Sequence, residues 1–87
     1  MRTQRKFKIV EANLDGIMAA GLCSPPRRNR ATQITIDPRQ PPRMYLDSLV
    51  HELLHCADWN FSEAKVRRMS RIIATGLWRM GYRRKHA

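Results

Sequence analysis

Five consecutive residues, His51, Glu52, Leu53, Leu54 and His55, carry most of the chemistry that can be read from this chain. On a helix, side chains four residues apart share a face, so both imidazoles can reach one ion. Zn2+ takes neutral imidazole nitrogens at about 2.0–2.1 Å, and two histidines on one face supply half of a tetrahedral site. Glu52 lies one residue on, too far round the helix to coordinate readily. It can still take a proton from a water beside the ion, the general-base role in zinc hydrolases. Random placement of the three His and three Glu gives this pattern in roughly 0.3% of such chains. Context must therefore decide, and it agrees: the pentapeptide sits inside an amphipathic repeat and uses two of the three histidines.

A third protein ligand would leave the fourth position open. The longer spacing H-E-x-x-H-x-x-G-x-x-H is not met, because Asp58 stands in place of the Gly and Phe61 in place of the last His. Glu63 is the foremost candidate, since a short turn could bring it back over the histidines. Asp58 competes, because positions 51, 55 and 58 lie on one helical face; it could instead accept a hydrogen bond from a ligand imidazole. A residue elsewhere in the chain is the remaining option. Helix dipoles alone favour an acid such as Glu63 in a first turn. The charge distribution argues for more than that: Glu52, Asp58 and Glu63 cluster within 51–63 of an otherwise basic chain. Tyr45, Tyr82 and His86 are candidates to steady a developing oxyanion, with no spacing to choose among them.

Several elements must position these groups. The stretch 6–11 (KFKIVE) alternates charged and apolar residues, a strand pattern. A second candidate strand is 17–23, where Gly16 and Gly21 argue for irregularity or close backbone approach. Turn residues fill 24–30 (SPPRRNR), and 32–37 (TQITID) is a β-branched strand. Pro41 and Pro42 suit the first positions of a helix. From there Leu46, Leu49, Val50, Leu53, Leu54 and Ala57 mark an amphipathic helix over roughly 42–58. Ser62 is a fitting N-cap for a second helix, whose stripe of Val66, Met69, Ile73, Leu77 and Met80 stops near Gly81. The order β-β-β-α-α predicts an α+β fold, a small antiparallel three-stranded sheet packed against the motif helix and a second C-terminal helix.

Length and charge bound the rest. Eighty-seven residues fit one domain, 1–87, whose small core leaves room for a metal to add stability. No repeat or linker divides it. Neither a membrane-spanning stretch nor a signal-peptide apolar region is present, so the chain reads as soluble and cytoplasmic, with no membrane partner. Two cysteines, Cys23 and Cys56, are too few for a disulfide framework and read as small buried thiols. Lys and Arg number 17 against 7 Asp and Glu, a net charge of +10. Eight of these cations lie in 62–87, with a basic tail from about 82, and Arg27, Arg28 and Arg30 form a second cluster. Such an excess attracts phosphate backbones or acidic proteins, although a solvated helix face is the plainer reading. Trp59 and Trp78 could stack on bases but suit a core or rim equally, and no nucleic-acid fold motif accompanies them.

The segment LDSLVHELLHCADWNFSE with the helix after it (46–83) resembles the minimal zincin-type metallopeptidases of the gluzincin and SprT-like kind. It is most similar to short proteins of this sort encoded by bacteriophages and bacteria. The resemblance spans about 32–83 and implies a three-stranded sheet on the active-site helix, with zinc on the helix face. It implies hydrolysis of a peptide or protein substrate, His51, His55 and Glu63 as metal ligands, and Glu52 as general base. It further implies that an edge strand around 19–24 receives an extended peptide by strand addition, in a host cytoplasm if phage-encoded. A catalytically silent, zinc-stabilised basic domain that binds nucleic acid or an acidic protein is the alternative.

Overall fold

The strand at the centre of the sheet is the most regular segment of the sequence. Along β3 (Thr32–Ile36) every second residue is buried, with Ile34 and Ile36 wholly inaccessible. The computed structural model describes residues 6–25 and 31–85; Arg27, Arg28, Arg30 and His86 lie outside the described residues. β1 (Phe7–Glu11) and β2 (Gly21–Cys23) flank β3 in the order β1-β3-β2. Two helices follow, α1 (Pro42–Ala57) and α2 (Glu63–Arg79). The α+β architecture expected from the sequence is thus present.

The sheet is mixed, which corrects the antiparallel expectation. β2 runs antiparallel to β3, with Gly21 opposite Ile36, whereas β1 runs parallel to it, with Phe7 opposite Thr32 and Glu11 opposite Ile36. The cause lies in 12–20, which hold a 3-10 turn at Asp15–Ile17 and carry the chain across one end of the sheet. β3 then inserts between its two predecessors. Alternation reveals which side chains share a face but not the direction of a neighbouring strand. The long second strand of the sequence reading shortens to three residues, because its first part makes that turn.

α1 starts as the prolines require, with Pro41 capping and Pro42 in the first turn. Tyr45 and Cys56 join Ile34 and Ile36 in the core, with Cys23, Leu49 and Leu53 packed around them. Cys56 is buried as expected, whereas Cys23, on the edge strand β2, is only partly buried. α2 buries Val66, Ser70 and Ala74, not the full predicted stripe; Ile73 and Met80 stand 39% and 78% exposed. Small side chains at 70 and 74 bring the helices close, and apolar periodicity by itself gives no weight to Ser. Arg43 crosses the same contact, donating to the Ala74 carbonyl at 3.0 Å and the Thr75 hydroxyl at 2.7 Å.

Gly81 ends α2 as expected, at φ +92°. The Tyr82 N–H donates back to the Leu77 carbonyl and the Gly81 N–H to that of Trp78, a Schellman close that favours glycine. The basic tail after it folds back. Arg83 lies over the Trp78 ring, 3.4 Å from its centroid, and Arg84 pairs with Glu11 at 2.7 Å while covering Tyr45. No helix of the described residues is long and apolar enough to cross a membrane.

One carboxylate ties the crossover to the turn before α1. Asp37 accepts from the Leu14 N–H at 3.0 Å and from Arg39, whose guanidinium also holds Asp15 at 2.7 Å and Asn13 at 2.9 Å. The Arg39 side chain and the Leu14 and Arg39 N–H groups hold the Asp37 carboxyl well below the usual carboxylate range. A depressed folded-state pKa contributes stability that is complete above the unfolded value and lost as pH falls through the folded one. Urea melts should therefore show stability declining below about pH 4. Asp37→Asn should lower stability at pH 7 and remove part of that acid decline.

Candidate metal centre

His51 and His55 sit one turn apart on α1, their ring centroids 5.1 Å apart, and both are largely covered. Residues 58–62 then reverse the chain. Asp58 ends α1 in extended conformation and turns its carboxylate to the Asn60 N–H, and its carbonyl accepts from Phe61. Ser62 caps α2 as predicted, its hydroxyl accepting from the Lys65 N–H at 3.1 Å. That cap makes Glu63 the first residue of α2 and directs it back over the histidines.

Glu63 meets both imidazoles. Its Oε1 lies 2.5 Å from His55 Nε2 and its Oε2 3.5 Å from His51 Nε2. One ligand atom from each of the three residues lies within 4.8 Å of the other two. Ligand atoms around tetrahedral zinc are about 3.3 Å apart given bond lengths near 2.0–2.1 Å. The His51 Nε2–Glu63 Oε2 separation is near that value, and the His55 Nε2–Glu63 Oε1 contact, made by the other carboxylate oxygen, is about 0.8 Å shorter. Glu63 is 61% exposed, so its side chain has room to move. The donor set, two imidazoles and a carboxylate, suits zinc.

Electrostatics follow from the same contacts. Burial alone would raise the Glu63 carboxyl, but the His55 hydrogen bond and the two imidazoles outweigh it and hold the group below its ordinary value. Arg67, 3.9 Å away, is the cation nearest to that carboxylate among the ion pairs of the described residues. Glu52 behaves oppositely. It points toward the sheet and is 9% exposed, and desolvation pushes its carboxyl up against the lowering effect of His51 and His55.

Among the described residues, the other sequence candidates are engaged elsewhere. Asp58 is committed to its own turn. Tyr45 donates its hydroxyl to Glu11 at 2.6 Å, at the far end of α1, and Tyr82 lines an apolar groove with Ile9, Leu49 and Trp78. His86 lies outside the described residues. Two further residues shape the site. Trp59, one turn beyond His55, brings its ring within 6.1 Å of that imidazole, a placement the i+4 spacing from His55 already signals. Gly21 on β2 faces Glu52 in a close approach, whereas Gly16, in the 3-10 turn, has open space beside it and marks irregularity instead.

A Cβ on Gly21 would stand 3.1 Å from both Glu52 Cγ and Ile36 Cδ1. Gly21→Val should therefore overpack this contact and cost about 1–3 kcal/mol of stability in denaturant melts.

Among known proteins, no family model matches the chain, and neither a curated protein nor a solved structure matches it.

Proposed function

We propose that this chain is a zinc-dependent peptidase acting on peptide or protein substrates in the cytoplasm. The observation that carries this reading is the convergence of His51, His55 and Glu63, ligand atoms within 4.8 Å, beside a buried Glu52 that is not part of the donor set. Among the described residues the donor set is two imidazoles and a carboxylate, which would leave a coordination position for chemistry where a closed structural site would fill all four. His51, His55 and Glu63 would hold the ion, and zinc bound there supplies Lewis acidity.

The remaining work falls to the chain's own groups. Glu52 takes the proton of the attacking water and returns it to the leaving amine, a role that needs a carboxylate near the ion without binding it. β2 supports substrate binding, because within the described sheet it pairs only with β3 and its outer edge lies beside the Glu52 contact at Gly21. An extended peptide added to that edge would run alongside the site, with main-chain hydrogen bonds holding it in register.

Elemental analysis and a mixed peptide library test the reading together. The wild type should hold about one zinc per chain, and His51→Ala or Glu63→Gln should weaken zinc affinity at least about tenfold. Glu52→Gln should keep the metal while lowering cleavage by about 10²–10⁴. A chain that takes up no zinc, or a Glu52→Gln variant that cuts as fast as wild type, overturns it. Zinc retained by a wild type that cuts nothing would leave the silent, zinc-stabilised basic domain as the reading.

A further inference from the structure

We propose that the outer face of α2 is a docking surface for duplex DNA, held through the two phosphate backbones. The argument starts from the helix geometry. Val66, Ser70 and Ala74 fix the buried side of α2. At about 100° per residue, Lys65, Arg68, Ile72 and Arg79 project within about 60° of one another on the opposite side. All four are exposed, Ile72 to 68%. α2 carries five cations and one acid, and that acid, Glu63, is turned to the histidines. The ion pairs of the described residues involve Arg39, Arg67, Arg84 and the two site histidines; Lys65, Arg68 and Arg79 pair with no described carboxylate.

Charge and spacing together select the occupant. Arg68 and Arg79 are eleven residues apart, about 16 Å along the axis. That distance lets a helix laid across a B-DNA major groove, about 12 Å wide, set one guanidinium against each bounding strand. The major groove of A-form RNA is too narrow to admit a helix in this way. Between the two arginines the face offers Ile72, which carries no polar side-chain atom, and at its margins Gly76 and Thr75, whose hydroxyl already accepts from Arg43 at 2.7 Å. Contacts of this kind position a protein on the duplex without reading its sequence. The surface shares a helix with Glu63 but not a face, so this proposal does not rest on the metal reading.

Fluorescence anisotropy of the purified full chain with a labelled duplex of about 20 base pairs, at about 50 mM salt and upward, tests it. Wild type should bind with no preference among sequences, and chelator treatment should leave the affinity unchanged. Arg68→Glu combined with Arg79→Glu should weaken binding at least about tenfold and reduce the slope of log affinity against log salt by about 2. The milder pair Arg68→Gln and Arg79→Gln, with helicity checked by circular dichroism, should weaken it in the same direction. Lys6→Glu with Lys8→Glu makes the same change in net charge on the β1 side and should cost no more than about threefold. Equal losses from the two charge reversals, equal affinity for duplex RNA, or no wild-type binding at low salt would each overturn the assignment.

Discussion

At 3.6 residues per turn, α1 aims Glu52 about 100° away from His51 and about 60° away from His55, and the fold is arranged around that division. One side of α1 must be covered by the sheet, where Tyr45 and Cys56 meet Ile34 and Ile36. Glu52 shares this inward direction and is drawn into the low-dielectric interior, against Gly21. His51 is rotated about 100° from it and His55 about 60° to the same side, and both emerge where α2 begins. A helix packed on one side only would leave those imidazoles in open solvent. A helix covered all round would bury them without access. The two-sided packing of α1, sheet behind and the first turn of α2 alongside, gives the two imidazoles intermediate exposure.

Two short devices keep that arrangement in place, and both satisfy backbone groups with side chains. Asp37 and Arg39 fasten the crossover at Asn13, Leu14 and Asp15 to the turn before α1. This fixes the end of the sheet where β2 enters and hence where Gly21 stands relative to Glu52. The second device is the 58–62 turn, in which Asp58 and Ser62 each bind a local N–H. Asp58 thereby gives up the site to Glu63. The acid at the end of α1 closes the turn, and the start of α2 supplies the acid that meets the histidines. The i+3 fit of Asp58 to His55 on the histidine face loses to this local hydrogen bonding.

The legible parts of the structure are those governed by short-range rules. The pentapeptide on a helix, the proline start of α1, the Ser62 cap, the Gly81 stop and the close approach at Gly21 all depend on residues within a few positions or on a single missing side chain. What escaped the sequence depends on partners far along the chain. The parallel pairing of β1 with β3 is decided by how 12–20 cross the sheet end, which no alternation in 6–11 records. The buried face of α2 includes Ser70 because α1 comes close there, and hydrophobicity ranks Ile73 above Ser70 until the neighbour is known. The tail reads as charge alone, yet Arg83 and Arg84 lie on Trp78 and Tyr45, since a guanidinium on an aromatic face keeps its charge near water while covering apolar surface.

The same chain that sets Glu63 and Glu52 beside two histidines carries ten net positive charges, and distance resolves the tension. At physiological ionic strength, fields between exposed charges decay over about 8 Å. The cations on the outer side of α2 are separated from the site by the helix itself, whereas Glu63 touches both imidazoles and Glu52 lies just behind them. Local acids therefore dominate the potential at the histidines, and the global charge dominates only what a large polyanion meets from outside. Arg67 is the exception, 3.9 Å from Glu63. On an exposed i,i+4 pair its attraction is worth at most a few tenths of a kcal/mol, too little to draw the carboxylate from the histidines. Its position marks the boundary between the two electrostatic regimes, with the acidic pocket at the first turn of α2 and the basic face beginning one turn later.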